Sequence, residues 1–279
     1  MCKVTRPPLR YHGGKWKAAP KIIPYFPPHT TYAEPYGGGA SVLLRKPRSK
    51  NEIYNDLDGD IVNVFRVLRD KEASQELIRL LQFTPFSRDE MILAWDDTED
   101  EIERARRTIV RSQMGFGSAG ATKGRTGFRG LDVYENSYSA PAKQFKELPY
   151  HLQAIIERLQ GVVLENTDGL KIIEQADIES TLFYVDPPYM VHTRSSMKSG
   201  AKYYRHEMTD EDHEELLKRI LRAKANVLIS GYKSDMYMDM LKDWEFVTFE
   251  SRSSSNKGTT MREECLWIKP SNTQRDLFS

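Results

Sequence analysis

The chain has 279 residues, enough for one large domain or for an α/β domain carrying an inserted unit. With 39% hydrophobic and 29% charged residues and no Gly/Ser-rich tract, the composition excludes a disordered or fibrous chain. Lysine and arginine total 41 against 40 aspartates and glutamates, so net charge alone points to no polyanionic partner.

In chain order, the polar start Met1–Arg10 lacks the apolar core of a signal peptide. No apolar run approaches the ~20 residues that cross a bilayer, so a cytoplasmic protein without membrane contact is expected. Cys2 and Cys265 are the only cysteines, which suits a reducing compartment and argues against a disulfide framework or a cysteine-based zinc site. Charge is unevenly distributed. Lys3 to Lys21 carries six basic residues with no acid before Glu34, and Arg111–Arg129 and Arg194–Arg205 are likewise acid-free. Such stretches suit local contacts to nucleic-acid phosphates, or they are solvated surface.

Short apolar runs read as buried strands at Thr31–Glu34, Glu52–Asn55, Gly161–Glu165, Thr181–Asp186, Asn226–Ser230, Glu245–Phe249 and Glu264–Ile268. Helical patterns fall between them at Ala40–Arg45, Gly59–Leu68, Leu170–Gln175, Asp210–Arg222 and Ser234–Leu241. Thr209 followed by Asp212 predicts a capping box at the start of one helix. Alternating strands and helices imply a largely parallel sheet covered on both faces. From 70 to 159 no strand is evident; helices at Ser74–Gln82, Glu99–Met114 and Tyr150–Leu159 surround a glycine- and arginine-rich loop, Gly115–Gly130. The expected organisation is therefore an α/β catalytic domain built from 1–69 and 160–279, interrupted by a mostly helical insertion at 70–159.

The sharpest motif is Asp186-Pro187-Pro188-Tyr189, directly after the apolar run Thr181–Val185. Ligands of open parallel sheets bind outside the carboxyl ends of strands, which is where this tetrapeptide falls. An exocyclic amine such as adenine N6 is a poor nucleophile because its lone pair is delocalised into the ring. The Asp186 carboxylate and the Pro187 carbonyl can accept its two protons, with the prolines stiffening the turn. Tyr189 offers a ring on which an extruded base can stack, worth ~1–3 kcal/mol. A plain Asp-Pro turn with a packed tyrosine is the competing reading.

Upstream, the strand Thr31–Glu34 runs through Pro35-Tyr36 into Gly37-Gly38-Gly39-Ala40, a turn where backbone can pass close to a ligand. The spacing is not that of a dinucleotide fingerprint, and Gly14-Lys15 is followed by Trp16, so there is no Walker A loop. The next strand ends at Asp56, placed to accept hydrogen bonds from ribose hydroxyls or to cap the following helix, a role open to Asp58 as well. His206, Glu207, Asp212 and His213 fit no zinc spacing, and no metal is expected. Trp16, Trp95, Trp244 and Trp267 read as packing residues.

Together these segments resemble the Dam-type DNA adenine-N6 methyltransferases, with the S-adenosylmethionine (SAM) motif first and the Asp-Pro-Pro-Tyr motif last, across nearly the whole chain. Leu9–Lys15 is similar to the family's aromatic-x-Gly-Gly-Lys motif, Glu34–Gly39 to its SAM motif, Ile53–Asp56 to its ribose motif and Asp186–Tyr189 to its catalytic motif. The resemblance implies a Rossmann-like SAM-dependent methyltransferase domain with a helical target-recognition insertion. It implies cofactor contacts from Tyr11, Lys15, Glu34, Gly37, Gly38, Gly39, Asp56, Asp168 and Asp186, and double-stranded DNA as partner of a monomeric enzyme, with a cognate restriction enzyme as a possible companion. Methylation of RNA or of cytosine N4, or a catalytically silent DNA-binding module, are the alternatives. DNA contacts are expected from Arg111, Gln113, Lys123, Arg125, Arg129 and Lys198. Two departures stand out: Ala40 replaces a family glycine, tolerable where φ is negative, and Gly169 stands where the family places phenylalanine after Asp168.

Overall fold

The computed structural model describes residues 3–116, 119–121, 125–130, 141–194, 204–255 and 258–270. After a short helix α1 (Ala19–Ile22) come β1 (Thr31–Glu34) and β2 (Asn51–Asn55), then the helices α2 (Gly59–Arg69), α3 (Lys71–Phe83), α4 (Arg88–Leu93), α5 (Glu101–Met114) and α6 (Pro141–Leu159). The chain continues through β3 (Val162–Glu165), α7 (Gly169–Gln175), β4 (Thr181–Val185), α8 (Asp210–Arg222), β5 (Asn226–Gly231) and α9 (Asp235–Met240), and ends in the paired strands β6 (Glu245–Ser255) and β7 (Gly258–Ile268). All seven strands form one sheet in the order β3-β2-β1-β4-β5-β7-β6. The first five are parallel, and β7 runs antiparallel to both β5 and β6.

Alternation along the strands supplies two apolar faces. Tyr32, Tyr54, Leu182 and Tyr184 point to one cluster, shared with Phe65 of α2, Leu77 of α3, Ile109 of α5 and Ile155 of α6. Ala33, Phe183, Val185 and Val227 point to the other, covered by α7 and α8. Burial on both sides explains why the central strands are apolar runs without polar alternation. The helices of 70–159 thus share a core with the sheet, and a buried ion pair joins the two: Arg158 of α6 meets both Glu52 oxygens at 2.6 and 2.8 Å and donates to the Leu43 carbonyl. Lys46 completes the neutralisation of Glu52, at 2.8 Å. Among the described residues no helix is long and apolar enough to cross a membrane.

The capping box at α8 is present, with reciprocal bonds between Thr209 and Asp212. Four expectations change. Ala40–Arg45 is a succession of turns rather than a helix, because Ala40 has φ +52° and the Leu43 N–H goes to Glu34 Oε1 instead of a helical carbonyl. The helix expected from Tyr150 begins at Pro141 and runs through Pro149, since Phe145, Leu148, Leu152 and Ile155 bury one continuous face across it. A further helix, α4, is capped by Ser87 through the Glu90 N–H, a signal its six residues left easy to miss. Finally, β6 and β7 extend well beyond their apolar portions, with the register continuing to Ser255 opposite Gly258. Period-2 hydrophobicity cannot reveal such a polar extension.

Candidate active site

The sheet order reverses at β1 and β4: the chain proceeds from β1 to β2 and β3 on one side, and from β4 to β5 on the other. A crevice opens at such a switch point, outside the carboxyl ends of the strands. The segments following β1, β2, β3 and β4 all line one pocket there, together with Tyr11–Lys15 and Tyr204–Met208.

The first wall is Glu34 and the glycine turn. Glu34 is buried and its Oε1 accepts from the Tyr32 hydroxyl and the Leu43 N–H, both at 2.7 Å. Burial pushes its pKa up to about 7 despite these bonds. The glycines are dictated by aromatic rings pressed against them. A Cβ on Gly37 would lie 2.2 Å from a ring carbon of Tyr54, and one on Gly38, whose φ is +48°, 2.6 Å from the Tyr11 ring. Ala40, by contrast, holds a positive φ with its methyl in place, so the condition of a negative φ is not met there. Such a conformation costs roughly 1–2 kcal/mol for a residue with a Cβ.

The second wall follows β2 and β3. Asp56 accepts from the Gly38 and Asp58 N–H groups, both at 2.8 Å, while Asp58 accepts from Asp60 N and caps α2. The capping duty therefore falls to Asp58, leaving Asp56 at the pocket wall. Desolvation raises the Asp56 pKa to about 6. Asn55, fully buried, donates to the Pro35 and Thr167 carbonyls and accepts from Thr167 N, stapling the post-β1 and post-β3 segments together. Sequence reading passed over it as a strand end. Asp168 lines the pocket and also caps α7 through the Leu170 N–H. Next to it, a Cβ on Gly169 would lie 2.7 Å from the Tyr36 ring, so the space of the family's phenylalanine is bordered by a ring from the glycine turn.

The third wall is Asp186–Tyr189 at the end of β4. Asp186 Oδ1 lies 3.0 Å from Lys15 Nζ, which also donates to the Gly13 carbonyl at 2.7 Å and sits 4.8 Å from the Tyr189 ring centroid. Burial opposes the Lys15 charge, but Asp186 and Glu264 outweigh it and raise its pKa; burial likewise raises the Asp186 pKa, a shift that the Lys15 ammonium opposes. Tyr189 meets Tyr232 edge to face at 4.7 Å. The structure thus brings Tyr11, Lys15, Glu34, Gly37, Gly38, Gly39, Asp56, Asp168, Asp186, Pro187 and Tyr189 around one pocket. Its chemistry is a carboxylate and a rigid carbonyl next to aromatic rings, with a second carboxylate across the cleft.

The residues expected to touch DNA are dispersed. Arg111 is buried, donates to the Ala94 carbonyl and Thr108, pairs with Asp60 at 3.1 Å and lies over the Trp95 ring. Gln113 is buried and donates to the Pro8 carbonyl. Both are turned inward by α5, whose last turns are buried on every side, so neither presents itself to a groove. Arg125 is exposed, and Arg129 reaches Gln144 at 3.4 Å beside the bridge joining Gly115 to Phe128. Lys123 and Lys198 lie outside the described residues. Arg194 and Arg205, ends of a basic stretch, are engaged by Glu207 and by Asp58 and Asp60.

The chain is 26% identical over 201 residues to modification methylase StsI of Streptococcus sanguinis, covering 69% of this chain and 30% of that one. It is 24% identical to the DNA N-6-adenine-methyltransferase of Escherichia phage P1, over 90% of this chain and 33% of the phage protein. The chain therefore spans about a third of the length of these two relatives. Against the DNA adenine methylase of Salmonella typhi identity is 22%, covering 92% of both chains. Residues 11–256, which begin at Tyr11 and take in every wall of the pocket, match the sequence profile of one family: the chain belongs to the D12 class N6 adenine-specific DNA methyltransferases.

Proposed function

We propose that this protein is a site-specific DNA methyltransferase that transfers a methyl group to N6 of an adenine swung out of the duplex. Membership of the D12 class implies SAM as methyl donor. The observation that carries the reading is the convergence of Asp56 and Asp186 on one pocket at the switch point between β1 and β4, with the Tyr189 ring at its edge.

The residues present fit the cofactor. The glycine turn is a cradle that a single Cβ would fill, and Asp56 is a carboxylate with capacity left to accept from ribose hydroxyls. Tyr36 and Leu170 border the place for a purine beside Asp168. When bound, SAM supplies a methyl already activated on a sulfonium, so the protein needs no covalent intermediate. On the substrate side Asp186 and the Pro187 carbonyl accept the two N6 protons. Asp186 need not take a proton outright, because an acceptor that stabilises positive charge developing on N6 suffices. Lys15 holds that carboxylate in place and opposes the burial that raises its pKa, and Tyr189 stacks on the flipped base. The helical segment 70–159, with Arg125 and Arg129 exposed or half-buried, supplies target recognition. The similarity to a modification methylase supports a partnership with a restriction enzyme.

A pH dependence follows from Asp56. Its raised pKa of about 6 means that the carboxylate is neutral below and charged above that pH. Acceptance of ribose hydroxyls needs the charged form, so SAM affinity is expected to fall roughly tenfold from pH 7 to pH 5. Calorimetric titration across that range checks it, and Asp56→Asn should flatten this dependence as well as weakening binding.

Transfer of radiolabelled methyl from SAM to unmethylated DNA, followed by nucleoside analysis, tests the function. N6-methyladenine at a short motif is the expected product. Label in RNA or at cytosine N4, or SAM binding without transfer, would replace the proposal.

A further inference from the structure

The Asp186–Tyr189 loop has a problem of its own making. Its two prolines stiffen it but lack N–H groups, so donors elsewhere must fix its carbonyls. Among the described residues no hydrogen bond to the Pro187 carbonyl is found, which leaves that acceptor for a substrate amine. The Pro188 backbone faces His213, a fully buried residue of α8 whose Nδ1 pairs with the Tyr237 hydroxyl at 2.9 Å. The Tyr189 carbonyl accepts from Arg194 Nη2.

Arg194 was part of a basic stretch that reads as a phosphate contact, yet it is only 6% exposed. Its guanidinium forks onto Glu207, with Nη1 3.0 Å from Oε1 and Nη2 2.8 Å from Oε2. Glu207 Oε1 also accepts from Tyr204 N at 3.0 Å, and the guanidinium lies 5.3 Å from the Tyr204 ring centroid. The Tyr204 hydroxyl in turn donates to the His12 carbonyl at 3.3 Å. His12 lies three residues before Lys15, which holds Asp186. The catalytic loop is therefore gripped at both ends, at Asp186 by Lys15 and at the Tyr189 carbonyl by Arg194.

We propose that Arg194 and Glu207 are positioning residues for methyl transfer: the forked pair fixes the Tyr189 carbonyl, and with it the aim of the Pro187 carbonyl and the Tyr189 ring at the target amine. This rests on the function proposed above. A planar guanidinium serves two carboxylate oxygens and a carbonyl from donors held in one fixed fork; an ammonium carries three donors on a single atom and cannot reproduce that geometry.

The test uses the full chain with SAM and DNA at saturation, and turnover normalised to bound SAM so that unfolded protein is not counted. Arg194→Lys is expected to lower kcat about 10- to 100-fold, with the SAM Kd and the DNA KM changed by less than about threefold. Glu207→Gln should act in the same direction. The exchange Arg194→Glu with Glu207→Arg restores opposite charges but sets a carboxylate against the Tyr189 carbonyl. Recovery of Tm without recovery of kcat is the expected result. Recovery of both, or kcat within about twofold of the parent in both single variants, overturns the proposal. Should the exchanged protein fail to bind SAM, the single variants decide. A parent enzyme that transfers no methyl to DNA overturns the functional reading first, and the positioning role falls with it.

Discussion

Asp186→Asn is expected to reduce single-turnover methyl transfer by roughly 10²–10³-fold while leaving a folded protein that still binds SAM. The change is nearly isosteric and keeps one oxygen able to accept from Lys15. What it removes is the negative charge facing the amine, and it adds an N–H that competes with the amine's own donors. The charge matters because N6 becomes positive as the bond to the methyl forms, and a half-buried carboxylate acts there at a lower effective dielectric than water. The side chain is 18% exposed and its Lys15 partner 4%, so solvent offers little substitute for that charge. Lys15 would keep the Gly13 carbonyl and the amide oxygen but lose its charged partner. A modest fall in Tm should accompany the loss of rate, and SAM titration separates the two effects. Transfer within about tenfold of the parent would remove Asp186 from the chemistry.

Gly37→Ala should destabilise the protein by about 3 kcal/mol and lower Tm by roughly 6–12 °C. The new methyl would stand 2.2 and 2.5 Å from two ring carbons of Tyr54 and 3.0 Å from the Asn55 carbonyl. Tyr54 cannot swing aside cheaply. It is fully buried, packs on Phe65 at 4.8 Å between centroids, and donates to the Gly38 carbonyl at 2.6 Å. Displacing it would also disturb Gly38, whose N–H holds Asp56, so SAM binding should weaken beyond the loss of stability. Gly59→Ala is the control. A Cβ there meets only Asn166 Oδ1 at 3.4 Å, and it sits in the first turn of α2, so its effect should stay within about 1 kcal/mol. Thermal unfolding of both variants checks the pair, and equal shifts would refute the steric account.

The strands and the pocket were legible because the relevant signals are local. Thr31–Glu34 and Thr181–Val185 are buried on both faces, and a carboxylate closes the first and directly follows the second, where a switch-point crevice needs one. Asp56 and Asp58 were distinguishable only in part, since two carboxylates two residues apart compete for one helix start. Geometry resolves them through the Asp60 N–H. Arg111 and Gln113 are buried although polar residues beside a glycine-rich loop read as exposed. Their partners, Ala94, Asp60 and Pro8, lie 17, 51 and 105 positions away in sequence. The same distance effect hid Asn55, which acts across 112 positions on Thr167. Long-range pairing of a polar side chain leaves no periodic mark. Arg194 is the instructive case: its role depends on a single acid thirteen residues on.

The junction between Glu52 and Arg158 bears on engineering. For the target-recognition role proposed for 70–159, exchanging the segment between β2 and β3 with that of a relative is the corresponding experiment, and a cut at 159 follows the end of α6. Such a graft carries Arg158 away with the donor cassette. Among the described cations, Glu52, 3% exposed, would then keep Lys46 and the more distant Arg48, 3.8 Å away, against its desolvation, beside the Ser49 N–H. Transplants that retain an arginine at this seam should yield soluble chimeras, and those that do not should misfold whatever DNA sequence they were meant to read.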